Sequence, residues 1–250
     1  MSEAHHWDGG TDTRITGEFV RSIPGSKSIL TLVGVVHDHP ASVYRVRRVV
    51  ETIDPATLAL ELPPIAVPLF VQYARDERIP PRSGGEMSAA IQAAETDTTV
   101  GIDRPTWRFF ARLARNLVVR RPSWATVRTV LSNTGSATRH AMACWMATTP
   151  VLPSRLPAAL DREREHETDW GDSPDQQAAD ERRQIRRSRS FANALEPTAT
   201  TRASRIGDGI REEHMADRLA NLQRDGDVVA IVGIDHLDSL VELLGDPNER

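Results

Sequence analysis

Short apolar runs that alternate with amphipathic stretches constrain the fold of this chain more than any other feature. Residues 29–36 form a nearly continuous apolar run rich in β-branched side chains, which is typical of a strand buried on both faces. Valine and isoleucine then recur at helical spacing over residues 43–53, and Pro40 suits the first turn of that helix. Residues 57–62 have strand composition again and stop at Pro63. A strand, a helix and a strand form a βαβ unit, which predicts a parallel sheet.

The same alternation returns in the rest of the chain. It predicts a helix at 83–95, a strand at 98–102, a helix at 208–224, a strand at 228–232 and a helix at 237–244. The fold class predicted from the sequence is therefore α/β, with a mainly parallel central sheet flanked by helices.

One domain is expected over residues 1–250, because this length and a hydrophobic content of 39% suffice for one substantial core. Residues 112–204 interrupt the alternation and are predicted to be a helical, charged insertion within that domain. Within it, residues 161–190 are strongly charged and almost lack apolar side chains. This composition predicts a solvated helix or a mobile segment.

Several classes of protein are disfavoured by composition. Cys144 is the only cysteine, so an internal disulfide framework and a cysteine-cluster metal site are excluded. No apolar run approaches the roughly 18 to 20 residues of a membrane span, and the first residues do not resemble a secretory signal. We therefore expect a soluble, cytoplasmic chain with no membrane span. The net charge of -4 argues against nucleic-acid binding, and the oligomeric state is left open.

Two Gly-x-x-His segments end predicted strands, at 34–37 and at 233–236. In an open parallel sheet the carboxyl ends of the strands face one crevice, so side chains that are distant in sequence meet there. The residues expected to converge at this edge are His37, Glu61, Asp103, Arg104 and His236.

These residue types suit a hydrolytic metal site. Two imidazoles and one carboxylate form a three-ligand set for a divalent metal such as manganese, cobalt, iron or zinc, which predicts His37, His236 and Glu61 as ligands. Such a metal acidifies bound water and polarises a carbonyl. Proton transfer is then predicted for Glu86 or Asp103, and binding of an anionic substrate group for Arg104 or Arg211.

Each candidate also has a structural explanation, which remains open from the sequence. The histidines suit hydrogen-bonded structural roles, and the carboxylates suit helix N-termini, with Ser83-x-x-Glu86 forming a capping box. The arginines suit exposed surface positions. Neighbouring His39 and Asp235 are interpreted as side chains that orient the two histidines.

Six segments resemble, in order, those of the TraB/PrgY domain family. Residues 32–37 resemble its Gly-Thr-x-His strand, 58–62 its second strand with an acidic residue, and 84–91 its Gly-x-Glu-Met-x-x-Ala-Ile helix. Residues 101–104 are similar to its Gly-Asp-Arg turn, 211–216 to its Glu-Arg-Asp-x-Tyr-Met-Ala helix, and 229–236 to its Val-Val-Gly-x-x-His strand. The resemblance covers roughly residues 29–115 and 205–245. The chain departs from the family at three places. Ile210 stands where the family has an acidic residue, and His214 where it has an aromatic one. The arginine that usually follows the second strand is absent after Pro63-Pro64.

The resemblance implies a crevice with paired histidines and acidic residues. The wider superfamily includes Tiki proteases, erythromycin esterases and ChaN-like haem-binding proteins, and Tiki-like members are divalent-metal peptidases. We therefore expect a metal-dependent hydrolase that acts on a peptide or ester. The alternative is a regulatory protein that binds a peptide or small molecule without turnover, as the family's peptide-pheromone regulators suggest.

Overall fold

A computed structural model describes residues 12–103, 166–194 and 199–245. The predicted site residue Arg104 and most of the predicted insertion lie outside these ranges. The described strands are β1 (Val20–Pro24), β2 (Ile29–Val35), β3 (Thr57–Leu60), β4 (Thr99–Gly101) and β5 (Val228–Gly233). The described helices are α1 (Pro40–Ile53), α2 (Val67–Tyr73), α3 (Gly85–Ala93), α4 (Pro174–Ala194), α5 (Ala199–Leu222) and α6 (Ile234–Gly245).

The five strands form one sheet in the order β1-β2-β5-β3-β4. Strands β2, β5, β3 and β4 are parallel to one another, and only β1 runs antiparallel, at the edge beside β2. The predicted α/β fold with a mainly parallel sheet is therefore confirmed. The sequence did not predict β1, whose five residues mix apolar, charged and polar side chains, or α2, which spans only seven residues and contains a proline.

Alternating side chains of the strands enter two separate cores. Val33 and Ile231 belong to the core that α1 and α3 cover, whereas Leu32 and Ala230 belong to the core that α5 and α6 cover. All four side chains are fully buried. The central strands are apolar at every position because both faces of the sheet carry helices.

The helix that follows β2 begins with a histidine cap. His39 accepts a hydrogen bond from the backbone N–H of Ala41 through Nδ1 at 3.1 Å, and Pro40 occupies the first turn. The helix ends at Asp54, a left-handed residue with φ of 47°. The cap fixes the direction in which the chain leaves β2, and with it the turn that carries the first Gly-x-x-His histidine.

Helix α4 packs on α1 through buried charges. Glu181 forms an ion pair with Arg45, and Asp180 contacts His39 at 3.2 Å; all four side chains are fully buried. The highly charged stretch that was predicted to be a solvated helix or a mobile segment is, in its described part, a helix; one face packs on the domain and the rest is exposed. No helix within the described ranges is long and apolar enough to cross a bilayer.

Candidate functional site

The carboxyl ends of three parallel strands and the start of α6 meet at one edge of the sheet. His37 follows β2, and Glu61 follows β3 directly. Val35 pairs with Gly233, so the two Gly-x-x-His segments run side by side but one residue out of register. His236 lies in the first turn of α6, because this helix starts immediately after β5.

A cavity of about 330 Å³ opens at this edge. His37, Glu61 and His236 line it together with Arg211, which α5 contributes. One wall comes from α4; its cavity-lining residues are Gln184, Ile185 and Ser188. The structure thus brings together residues that are up to about 200 positions apart, as expected for a strand-end crevice.

The guanidinium of Arg211 is the centre of the polar network. Its Nε and Nη2 donate to both carboxylate oxygens of Asp103, at 2.7 and 2.8 Å. Nη2 also donates to Glu61 Oε1 at 2.5 Å, and Nη1 to His236 Nε2 at 2.8 Å. Burial alone would lower the pKa of Arg211, but the two carboxylates raise it. The arginine is therefore a permanent cation in this cavity.

His236 is held from both sides of its ring. Its Nδ1 contacts Glu212 Oε1 at 2.8 Å, while Nε2 accepts from Arg211. This arrangement requires the neutral tautomer with the proton on Nδ1. Burial alone would lower the pKa of His236, but the hydrogen bond with Glu212 and the charge of Glu61 raise it above its ordinary value. Protonation at Nε2 would remove the acceptor of Arg211 Nη1, and Glu61 Oε1 lies 3.7 Å from the same nitrogen.

His37 has a carboxylate partner of its own. Its Nδ1 lies 2.6 Å from Glu86 Oε1, and the second oxygen of Glu86 accepts from the backbone N–H of Asp38 at 2.9 Å. Burial alone would raise the pKa of Glu86, but the hydrogen bond and charge of His37 hold it below its usual value. The His37 side chain is 45% exposed, whereas Glu86 is 2% exposed. A buried anion thus orients a half-exposed imidazole.

The capping-box explanation of Glu86 is wrong. The residue at the N-cap of α3 is Gly84, and no side chain caps the helix there. The carboxylate binds the His37 turn instead, because Glu86 lies in the first turn of α3 with its side chain directed at β2.

Glu61 combines a structural contact with its position in the cavity. Its Oε2 accepts the backbone N–H of Gly233 at 2.6 Å, directly before the first turn of α6. The sequence suggested a strand-end acid near the N-terminus of the helix that follows it, whereas the structure places Glu61 at the N-terminus of α6, which is distant in sequence. Its other oxygen binds Arg211. The same carboxylate fixes the backbone that carries His236 and presents an anion beside it.

The predicted metal ligands fit a divalent metal by type. Both imidazoles are bound through Nδ1 to a carboxylate, as metal-ligating histidines usually are. Arg211 nevertheless donates to His236 Nε2 and to Glu61, at the atoms that a metal would need. In the part of the chain that the structure covers, no group of three or more His, Cys, Asp or Glu side chains is arranged to hold a metal ion. Metal binding stays a prediction.

The other predicted site residues have mixed placements. Asp103 lies behind Arg211, Asp235 lines the cavity, and His39 caps α1 instead of orienting His37. Glu212 was not predicted as a site residue, because it is one of two adjacent glutamates on a polar helix. The resemblance contained a usable signal, because the family motif has an acidic residue directly after its arginine.

Comparisons with protein-family models, with curated proteins and with solved structures found no match to this chain.

Proposed function

We propose that this cavity is the active site of a hydrolase that cleaves a peptide or ester bond, in the manner of the TraB/PrgY domains that the sequence resembles. One observation carries the proposal. His37 and His236, each bound through Nδ1 to a carboxylate, line the same cavity as Glu61 and the cation of Arg211.

The two imidazoles have different roles in this proposal. A carboxylate on Nδ1 places the lone pair on Nε2, the atom that accepts a proton from water in general-base catalysis. His37 is the base, because its ring is half exposed while Nε2 of His236 is bound to Arg211. Glu86 stabilises the imidazolium that forms when His37 takes up the proton.

Arg211 stabilises the negative charge that develops on the carbonyl oxygen of the substrate. Preorganised cationic donors in a closed site are among the largest contributors to catalysis of acyl transfer. The carboxylate of Asp103 accepts two parallel hydrogen bonds from the guanidinium, so Arg211 is oriented before the substrate binds.

The proposal has a second form, in which a divalent metal is held by His37, His236 and Glu61; His37 would then bind the metal through Nε2 instead of acting as the base, because its Nδ1 is bound to Glu86. When bound, the metal would supply a Lewis acid and a water of lowered pKa. Arg211 must release two of these ligands before they bind metal. We therefore expect Arg211→Met to bind Mn²⁺ or Zn²⁺ at least tenfold more tightly than the wild type in isothermal titration. His37→Ala combined with His236→Ala should abolish that binding, and unchanged binding would reject the ligand assignment.

Hydrolysis is tested with panels of fluorogenic peptides and esters, with and without added metal. We expect turnover by the wild type and a loss of about 100-fold or more in His37→Gln and Glu61→Gln. Glu242→Gln is the matched control, because this glutamate is exposed and does not line the cavity. Turnover that survives in both site variants would refute the proposal.

A second function, binding without turnover, is favoured by one observation. Arg211 already satisfies Asp103, Glu61 and His236, so the polar groups of the cavity are paired with one another. A protein of this kind would be stabilised by a peptide or small molecule in a thermal-shift assay and would leave it intact over long incubation. Cleavage that depends on Glu61 would reject it.

A further inference from the structure

We propose that a second groove binds the part of a peptide that carries apolar side chains next to acidic ones. This groove, called here the arginine groove, has a volume of about 980 Å³. One wall is the loop between α2 and α3, and the other is the segment that precedes α4. Its lining residues include Arg78, Ile79, Arg82, Asp169 and Trp170.

The arginine groove displays apolar side chains that the rest of the described surface lacks. Ile79 is 71% exposed and Trp170 is 54% exposed, and they are the two large hydrophobic side chains that are exposed among the described residues. Both line this groove, on opposite walls. Clustered exposed apolar side chains mark interaction sites more often than isolated ones do.

The loop that carries Ile79 is fixed by its backbone. The carboxylate of Asp76 accepts the N–H of Arg78 at 3.1 Å and the N–H of Arg82 at 3.0 Å. Gln92 on α3 donates to the carbonyl oxygens of Asp76 and Arg78, both at 2.8 Å. The backbone of this loop is therefore held in place before a ligand binds, which lowers the entropic cost of binding.

The charges of the groove favour a carboxylate ligand. Arg78 and Arg82 are both exposed, and no salt bridge joins either guanidinium to another described side chain, although their backbone N–H groups, and to a lesser degree their charges, lower the pKa of Asp76 in the same loop. The aspartates of the groove have contacts of their own: Asp169 accepts the N–H of Gly171 at 2.7 Å, and the carboxylate of Asp38 lies against the backbone of Gly85. A glutamate or aspartate of the ligand is the natural partner of the two guanidinium groups.

The arginine groove adjoins the proposed active site. Asp38 and Gly85 line it, and they are the immediate neighbours of His37 and Glu86. A peptide lying in the groove thus continues toward the imidazole. That this peptide is a substrate rests on the proposed function, whereas its binding does not.

Two fluorescein-labelled hexapeptides test the proposal by fluorescence polarisation with the full chain. One is Gly-Glu-Leu-Leu-Glu-Gly, and the other has lysines in place of both glutamates. We expect the acidic peptide to bind more tightly than the lysine peptide, and this difference in affinity should shrink as the salt concentration rises. Arg78→Gln combined with Arg82→Gln should weaken its binding by about fivefold or more, and Trp170→Ala should weaken both peptides. Arg224→Gln is the control, since Arg224 is exposed just before β5, at the opposite edge of the sheet.

Equal binding of the two peptides, no binding, or an affinity that does not change in the double arginine variant would overturn the proposal. A photo-crosslinking amino acid in place of Ile79 identifies the occupant. Capture of the acidic peptide supports the proposal, whereas capture of residues 104–165 of the same chain, or of a second copy, overturns it. Binding that depends on the groove arginines, without cleavage, would support peptide binding in the groove and count against the proposed hydrolysis. If instead the acidic peptide is cleaved and its affinity is the same in the double arginine variant, hydrolysis would be supported and the groove proposal rejected.

Discussion

The buried ion pair between α1 and α4 offers a direct test of how one wall of the candidate-site cavity is held in place. Glu181→Gln keeps the shape of the side chain but removes its charge, and Arg45 is left as a cation in a fully buried position. Removing one partner of a buried ion pair costs about 3 to 5 kcal/mol. Two carbonyl oxygens, of Arg14 at 2.6 Å and of Gly34 at 2.7 Å, still accept from Arg45. We therefore expect a loss near the lower limit, about 3 kcal/mol.

The loss is measured by urea denaturation followed by circular dichroism, and by the accompanying fall in Tm of roughly 6 to 12 °C. Glu51→Gln is the matched control, because Glu51 pairs with Arg47 at 3.1 Å on the exposed side of α1, the helix that also carries Arg45. This exposed pair should contribute less than about 0.5 kcal/mol. A change in Glu181→Gln that is below about 1 kcal/mol, or equal to that of the control, would refute the argument from burial.

Three further predictions concern the two histidine turns. Glu212→Gln should lower the pKa of His236, because it removes the anion that accepts from Nδ1; an NMR titration with an unchanged pKa would contradict this. Since the pKa of Glu86 lies below its usual value, its contribution to stability is present above about pH 4.5 and is lost as the pH falls further. Thermal melts from pH 7 to pH 3 should therefore show a shallower acid decline in Glu86→Gln, and parallel curves would be evidence against it. Gly85→Ala should destabilise the protein by about 1 to 3 kcal/mol, because this residue has a φ of 49° and a Cβ there would overlap the neighbouring aspartate. The control Gly207→Ala, on α5 with no atom within 4 Å of the added carbon, should be neutral or stabilising in the same denaturation assay.

The sheet and the edge at which the site lies were predictable because local patterns determine them. A doubly buried strand is apolar at every position, and the parallel arrangement places all strand ends on one side. His37, Glu61, Asp103 and His236 were located at this edge by that rule alone, and the structure places each of them there.

The contacts within the site were not predictable in the same way. Arg211 and Glu61 are 150 positions apart, and the choice of Asp103, Glu61 and His236 as joint partners depends on how α5 packs against the sheet. The role of α4 was hidden for a different reason. Asp180 and Glu181 belong to a stretch whose composition is typical of solvent-exposed segments. Their burial depends on partners that are distant in sequence, above all Arg45 and His39 on α1 and at its cap.

The position of β5 between β2 and β3 has a consequence for how the chain is made. β5 is the last strand along the described sequence, yet it pairs with β2 on one side and with β3 on the other. Until the ribosome releases it, the earlier strands have no neighbour at the centre and expose two unpaired edges, which are prone to aggregation. The sheet therefore closes only after β5 has left the ribosome. Because His236 follows β5 directly, a chain that stops short of this strand lacks both a continuous sheet and half of its histidine pair.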